Sequence, residues 1–265
     1  MRLAPLLLLL LLISACSFER PAAANVLEEG VAAAARKPVL LELFTSEGCS
    51  SCPPAERNLA YLQTEQPYPE AEIITLAFHV DYWDGLGWKD PFASPLFTQR
   101  QRVYDRKFRT GNIYTPQMVV DGDYEFVGSK LDKAEKAIVR SVRNEKGVVD
   151  LSLADGRLSI DITKLPEIEY ASVYLAYAED GLSSEIERGE NAGRTLSHVA
   201  VVRALQGLGR IEPGSSSFRI ETVLNVDSTW RMDALKAVVF VQENHTRKIF
   251  GVSSIRLSGD GPVAP

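Results

Sequence analysis

The stretch PVLLELFTSEGCSSCPPAERNLAYL, residues 38–62, decides how the chain is read. Pro38 to Thr45 is a short apolar run rich in strand formers, Ser46-Glu47-Gly48 is a turn, and Cys49 and Cys52 follow at C-x-x-C spacing. Pro53-Pro54 comes directly after Cys52, and proline is tolerated in the first turn of a helix because its missing N–H has no partner there anyway. A helix is therefore predicted from Ser51 to Thr64, with Ala55, Leu59 and Leu62 on one face. Glu72 to Val80 is a near-continuous apolar run, the pattern of a strand buried on both faces of a parallel sheet. Strand, cysteine pair, helix and strand in this order place the pair at a helix N-terminus.

That position has a chemical use. Unsatisfied N–H groups and about half a positive charge at a helix N-terminus stabilise a thiolate and lower the pKa of the first cysteine. Cys49 is then the nucleophile, and Cys52, one turn on, attacks the mixed disulfide and releases the product. The plain alternative is an inert disulfide, although a bridge closing so short a loop limits the unfolded chain little. Thr115-Pro116, at the start of a third strand, is the second element. In thioredoxin-like folds the matching proline is cis and lies beside the disulfide, and a cis X-Pro bond is rare enough to be informative.

Further outward, Asp81 to Pro95 is an aromatic, Gly-rich loop and Leu96 to Phe108 is helical. Tyr124 to Val127 pairs back through an Asp121-Gly122 turn, and a helix over Lys130 to Arg143 closes this half. Beyond Gly147 the runs Val148 to Leu153 and Leu158 to Ile162 alternate about Asp155-Gly156, a hairpin signal. Ala171 to Tyr177, Phe218 to Leu224, Ala237 to Gln242 and Lys248 to Leu257 are further strands, and a helix is read over Ala200 to Leu208. The expected fold class is an α/β thioredoxin-like domain with a mixed sheet over residues 38–147, followed by a β-sandwich-like domain over residues 148–258 and a tail over 259–265.

Several side chains near the pair carry two readings. Glu42 precedes the pair by one residue more than the buried acid that accepts a proton from the second cysteine in thioredoxins. A one-residue shift flips the face of a strand, so Glu42 is either that proton acceptor or a partner of a neighbour such as Lys89. His79 is a satisfied core histidine or a ligand. Tyr82, Trp83, Trp88 and Phe92 follow a strand whose end shares a sheet edge with Cys49, where ligands of open α/β sheets gather. They form the wall of a substrate groove or a lid packed by its own side chains. Arg188, Glu190, Asn191, Arg194 and His198 lie in a later polar loop, read as an interdomain contact rather than a second active site.

The N-terminus addresses the chain to export. Arg2 and the apolar run Leu6 to Ile13, too short for the roughly 20 residues of a membrane span, form a signal peptide over residues 1–15. Ile13-Ser14-Ala15-Cys16 resembles a bacterial lipobox, with Cys16 as the lipidated residue and residues 16–37 as a tether; cleavage after Ala22-Ala23-Ala24 is the alternative. Either way Cys16 leaves the count of three cysteines, and one pair remains. Two thiols exclude a four-cysteine zinc or iron–sulfur site, and the three histidines lack finger-like spacing, so no metal or other cofactor is expected beyond the redox-active disulfide. With 45% hydrophobic and 24% charged residues the 265-residue chain is globular, and its charge of -6 disfavours nucleic acid or anionic lipid as partners.

The motifs LELFTSEGCSSCPPAERNLAYL, AFHVDYWDGLGWKDPFASPLFTQRQRVY and YTPQMVVDG, with Arg188 to Leu196 later in the chain, resemble a family of exported bacterial proteins catalogued as a domain of unknown function with a thioredoxin-like fold. The resemblance implies that fold, export, and Cys49, Cys52 and Pro116 as the site. True thioredoxins carry Trp before the first cysteine and Gly-Pro between the two, where this chain has Gly48 and Ser50-Ser51. The expected function is a thiol–disulfide oxidoreductase of the bacterial cell envelope acting on a protein substrate or redox partner in the periplasm. Its alternatives are a non-catalytic binding or assembly module, and copper handling through Cys49, Cys52 and a histidine, because soft thiolates suit Cu(I).

Overall fold

A computed structural model describes residues 36–257. The signal peptide, Cys16, nearly all of the tether and the tail lie outside the described residues. No helix among the described residues is long and apolar enough to cross a membrane.

β1 (Lys37–Thr45) leads through the cysteine turn into α1 (Pro53–Glu65), and β2 (Ala71–His79) returns parallel to β1, pairing Lys37 with Ala71 through Thr45 with His79. A 3-10 turn over Asp81–Leu86 and α2 (Pro95–Phe108) follow, with Ser94 capping α2 through its hydroxyl. β3 (Gln117–Val120) runs antiparallel to β1, β4 (Tyr124–Val127) pairs back on it, and α3 (Leu131–Ser141) ends this half. The chain then runs through β5 (Val148–Ala154), β6 (Arg157–Thr163), β7 (Ala171–Glu179), β8 (Leu182–Glu185), β9 (Thr195–His198), β10 (Val201–Ile211), β11 (Phe218–Val223), β12 (Leu235–Glu243) and β13 (Ile249–Arg256).

Eight of these strands form one mixed sheet in the order β13-β12-β7-β10-β2-β1-β3-β4. This corrects the expectation of a thioredoxin-like domain followed by a separate β-sandwich. The sheet passes without a break from the first half to the second, because β10 lies parallel to β2, with Val201 opposite Ala77 and Ala77 N–H donating to Ala200. The segment read as a helix over Ala200–Leu208 is the join itself, Ala200 followed by β10 from Val201. β5, β6 and β11 do form a three-stranded antiparallel sheet, but it packs on the eight-stranded one through Leu158, Ile160, Ile162, Val173, Leu175 and Val239 instead of closing a sandwich of its own.

The cores show why the halves merge. β1 alternates between two buried faces, as a strand's period of two requires. Val39, Leu41 and Leu43 meet Ala55, Leu59 and Leu62 of α1 and Ala134, Ala137 and Ile138 of α3. Leu40 and Phe44 face the other way, where Phe78, Phe97 and Tyr104 share one cluster with Ala176, Val202, Val238, Phe240 and Val252 of the second half. The burial pattern of β7 and β12 is nearly continuous, as for strands covered on both sides. Asp155-Gly156 is a two-residue hairpin turn and Asp121-Gly122 lies in a three-residue one with Asp123; both Asp-Gly pairs take positive φ at both residues, as tight turns of this kind require.

Candidate functional site

The turn after β1 delivers Cys49 and Cys52 as a disulfide with Cα atoms 5.4 Å apart. Cys52 is the N-cap of α1, and its carbonyl accepts from the Ala55 and Glu56 N–H groups. The Cys49 sulfur lies 3.4 Å from the Ser51 hydroxyl. The Thr115–Pro116 peptide is cis. Pro116 lies on the α1 side: a Cβ on Gly128 would fall 3.0 Å from Ala55 Cβ and 3.6 Å from Pro116 Cβ. Thr115 Oγ1 accepts from the Trp83 indole at 2.8 Å, and a Cβ on Gly48 would come within 3.2 Å of Trp83 Cβ, so the aromatic 3-10 turn packs against the residue before Cys49.

Both cysteines are fully buried. The polar loop of the second half is bonded to the turn that carries them. Asn191, itself buried, donates its side-chain amide to the carbonyls of Glu47 at 2.8 Å and Cys49 at 3.0 Å. Glu190 accepts from the Ser50 N–H at 3.1 Å and its hydroxyl at 2.5 Å, which holds the exposed carboxyl below the ordinary range. Gly189, at φ +81, sits against Trp88, and the Trp88 indole donates to Glu47 at 2.7 Å. The loop thus clamps the turn between the cysteines, while Arg188 and Arg194 are exposed and the Arg194 guanidinium donates to the Asn191 side-chain carbonyl at 3.0 Å.

Behind the disulfide lies a buried cluster of acids and imidazoles. His198 stands between Glu56, 2.6 Å from Nδ1, and Glu47, 3.1 Å from Nε2. Burial disfavours its cation, but hydrogen bonds to Glu47 and Glu56 and their charges prevail and raise its pKa to about 10. Burial likewise opposes ionisation of Glu56, and His198, His79 and the Thr45 hydroxyl outweigh it and hold the carboxyl below its ordinary value. His79 Nδ1 meets Asp90 at 2.7 Å. Asp90 also accepts from the Glu47 and Phe92 N–H groups; against burial, His79 and these donors keep it low. The Phe92 ring stands edge-on to both imidazoles.

Glu42 is elsewhere. It belongs to the β1 face of Leu40 and Phe44, opposite α1, where Arg100 donates to it at 2.5 Å and the Tyr104 hydroxyl adds a second hydrogen bond. Lys89 makes no ion pair among the described residues. The structure therefore gathers Cys49, Cys52, Thr115, Trp83, Trp88 and His79 at one edge and leaves Glu42 out. Tyr82 packs on the Phe44–Phe78 cluster. Glu47, Glu56 and Asp90 were not singled out from the sequence. Only Glu56 carried a legible signal there, one helical turn after Cys52 and therefore on its side of α1.

Two solved structures resemble the whole described fold. Protein AGR_C_4864 from Agrobacterium tumefaciens is 25% identical, with a TM-score of 0.68 over 87% of this chain and 99% of that one. HBP35 of Porphyromonas gingivalis is 17% identical, with a TM-score of 0.61 over 87% of this chain and 78% of that one, and so speaks to the fold alone. No curated protein matches the sequence. Residues 40–242, which hold the cysteine pair, its covering loop and the acid–imidazole cluster, match one family over most of the chain, and the protein belongs to that family, the proteins of unknown function DUF1223.

Proposed function

We propose that this protein is a thiol–disulfide oxidoreductase of the bacterial cell envelope, exported and held at a membrane through Cys16, that acts on envelope proteins. The observation that carries the reading is the Cys49–Cys52 disulfide at the N-terminus of α1, where the helix favours a Cys49 thiolate. In the reducing direction, Cys49 thiolate attacks a client disulfide, forming a Cys49–client bond and releasing one client thiolate. Cys52 thiolate then attacks the Cys49 sulfur, releasing the second client thiolate and restoring the Cys49–Cys52 disulfide, so two electrons pass to the client. The reverse sequence oxidises a client dithiol. Either direction requires Cys49 to become accessible, because it is fully buried in this structure, with its carbonyl bonded to Asn191. That burial favours a second reading, a binding module whose disulfide is structural.

Redox titration of the disulfide against glutathione, with the Cys49 pKa taken from the pH dependence of alkylation, separates the two. A potential between about -120 and -270 mV with a pKa below about 7.5 is expected for the oxidoreductase, together with client proteins trapped as mixed disulfides by Cys52→Ser. A potential below about -300 mV with an unreactive thiol belongs to the binding module.

A further inference from the structure

We infer that Glu56, His79 and His198 form a binding site for a divalent transition-metal ion of the zinc class, distinct from the cysteine pair and independent of its redox reading. One ligand atom from each of the three lies within 4.8 Å of the other two. They come from α1, the end of β2 and the end of β9, so the site is assembled only by the fold. Two imidazoles and a glutamate are a donor set that binds zinc with one position left for a further ligand.

Three features point to a cation rather than to a self-satisfied network. His79 is completely buried, its Nδ1 is engaged by Asp90, and its Nε2 has no hydrogen-bond partner. A buried ring nitrogen left orphaned is costly, and a lone pair there is what a metal takes. Next, each histidine has one nitrogen held by a carboxylate, His79 by Asp90 and His198 by Glu47. That is the outer-shell arrangement that orients an imidazole for a metal on its other nitrogen, which for His198 is Nδ1, the atom beside Glu56. Finally, Glu47, Glu56 and Asp90 are three acids gathered around two imidazoles. No lysine or arginine among the described residues pairs with any of the three. A divalent ion held by the imidazoles would bring a compensating cation to these acids beside the Phe92 ring. Binding displaces the proton that links His198 to Glu56.

The test is a titration of Zn2+ alone into the full chain carrying Cys16→Ser, with the Cys49–Cys52 disulfide intact, so that no thiolate is available as a ligand. One equivalent should bind, and X-ray absorption should show nitrogen and oxygen neighbours at about 2.0–2.1 Å with no sulfur at about 2.3 Å. His79→Gln should abolish stoichiometric binding. Should that variant fail to fold, Asp90→Asn, which keeps an acceptor for the Glu47 N–H, should weaken binding about tenfold to a hundredfold. A folded, disulfide-bonded chain that takes up no zinc, a sulfur neighbour in the absorption spectrum, or unchanged affinity in both variants overturns the assignment.

Discussion

Glu42 and Glu190 are both glutamates near the cysteine pair in sequence or in space, and their surroundings separate their roles. On the Leu40–Phe44 face of β1, Glu42 is paired with Arg100, whose guanidinium also lies over the Phe78, Tyr104, Tyr174 and Phe240 rings. Arg100→Ala leaves a buried carboxylate without its cation and is expected to cost about 3–5 kcal/mol in urea unfolding; Arg100→Met with Glu42→Leu should recover most of it. The spacing of Glu42 already carried this outcome: one residue of shift on a strand is a change of face. Glu190 is exposed, and its bonds to Ser50 are a latch on the covered disulfide. Glu190→Gln should speed reduction of Cys49–Cys52 by a phosphine, a reductant that works over a wide pH range. Because the folded carboxyl is held below its ordinary value, the latch is complete above about pH 4.3 and is lost as pH falls through the lower folded value. The difference in rate between wild type and Glu190→Gln should therefore be full at pH 6 and vanish on acidification; a difference independent of pH would refute the latch.

Individual elements were legible where local chemistry dominates. Proline after Cys52 starts α1 at Pro53, and Asp-Gly pairs turn both hairpins. The two turns are not equivalent, however. A Cβ on Gly122 would come 1.9 Å from the Arg247 carbonyl oxygen, whereas one on Gly156 meets open space. Gly156→Ala should thus cost only the left-handed backbone penalty, about 1–2 kcal/mol. Gly122→Ala must in addition push apart the β3–β4 and β12–β13 turns, and thermal unfolding should show it to be clearly the more damaging. Sequence could not reveal that contact, since it joins segments far apart in the chain. The merged sheet does leave a signal in the sequence. ASVYLAYAE and LKAVVFVQE are near-continuous apolar runs like AEIITLAFH, and that pattern marks strands covered on both faces, not the alternating strands of a sandwich.

On the scale of the molecule, the large sheet and the core on one of its faces decide how the chain unfolds. Leu40, Phe44, Phe78 and Tyr104 share a cluster with Ala176, Val202, Val238 and Phe240, and the Ile249 N–H donates to Asp121 across the two halves. The covering loop over Cys49 and His198 beside Glu56 are likewise contributed by the second half. What hid this from the sequence is that the joining strand pair is parallel and brief, with Val201 opposite Ala77, and a pairing between distant segments leaves no local pattern. A chain built this way should unfold in a single transition, with tryptophan fluorescence and far-ultraviolet circular dichroism giving one midpoint. Separate expression of residues 36–147 and 148–257 should yield poorly packed chains, because each exposes its side of the shared cluster to water. The first fragment would also lose the cover of its disulfide, so Cys49–Cys52 should be reduced much faster there than in the whole protein. Two independent transitions, or a first fragment with native-like amide protection and a slowly reduced disulfide, would mean that the halves are stable on their own and that the sheet merely joins them.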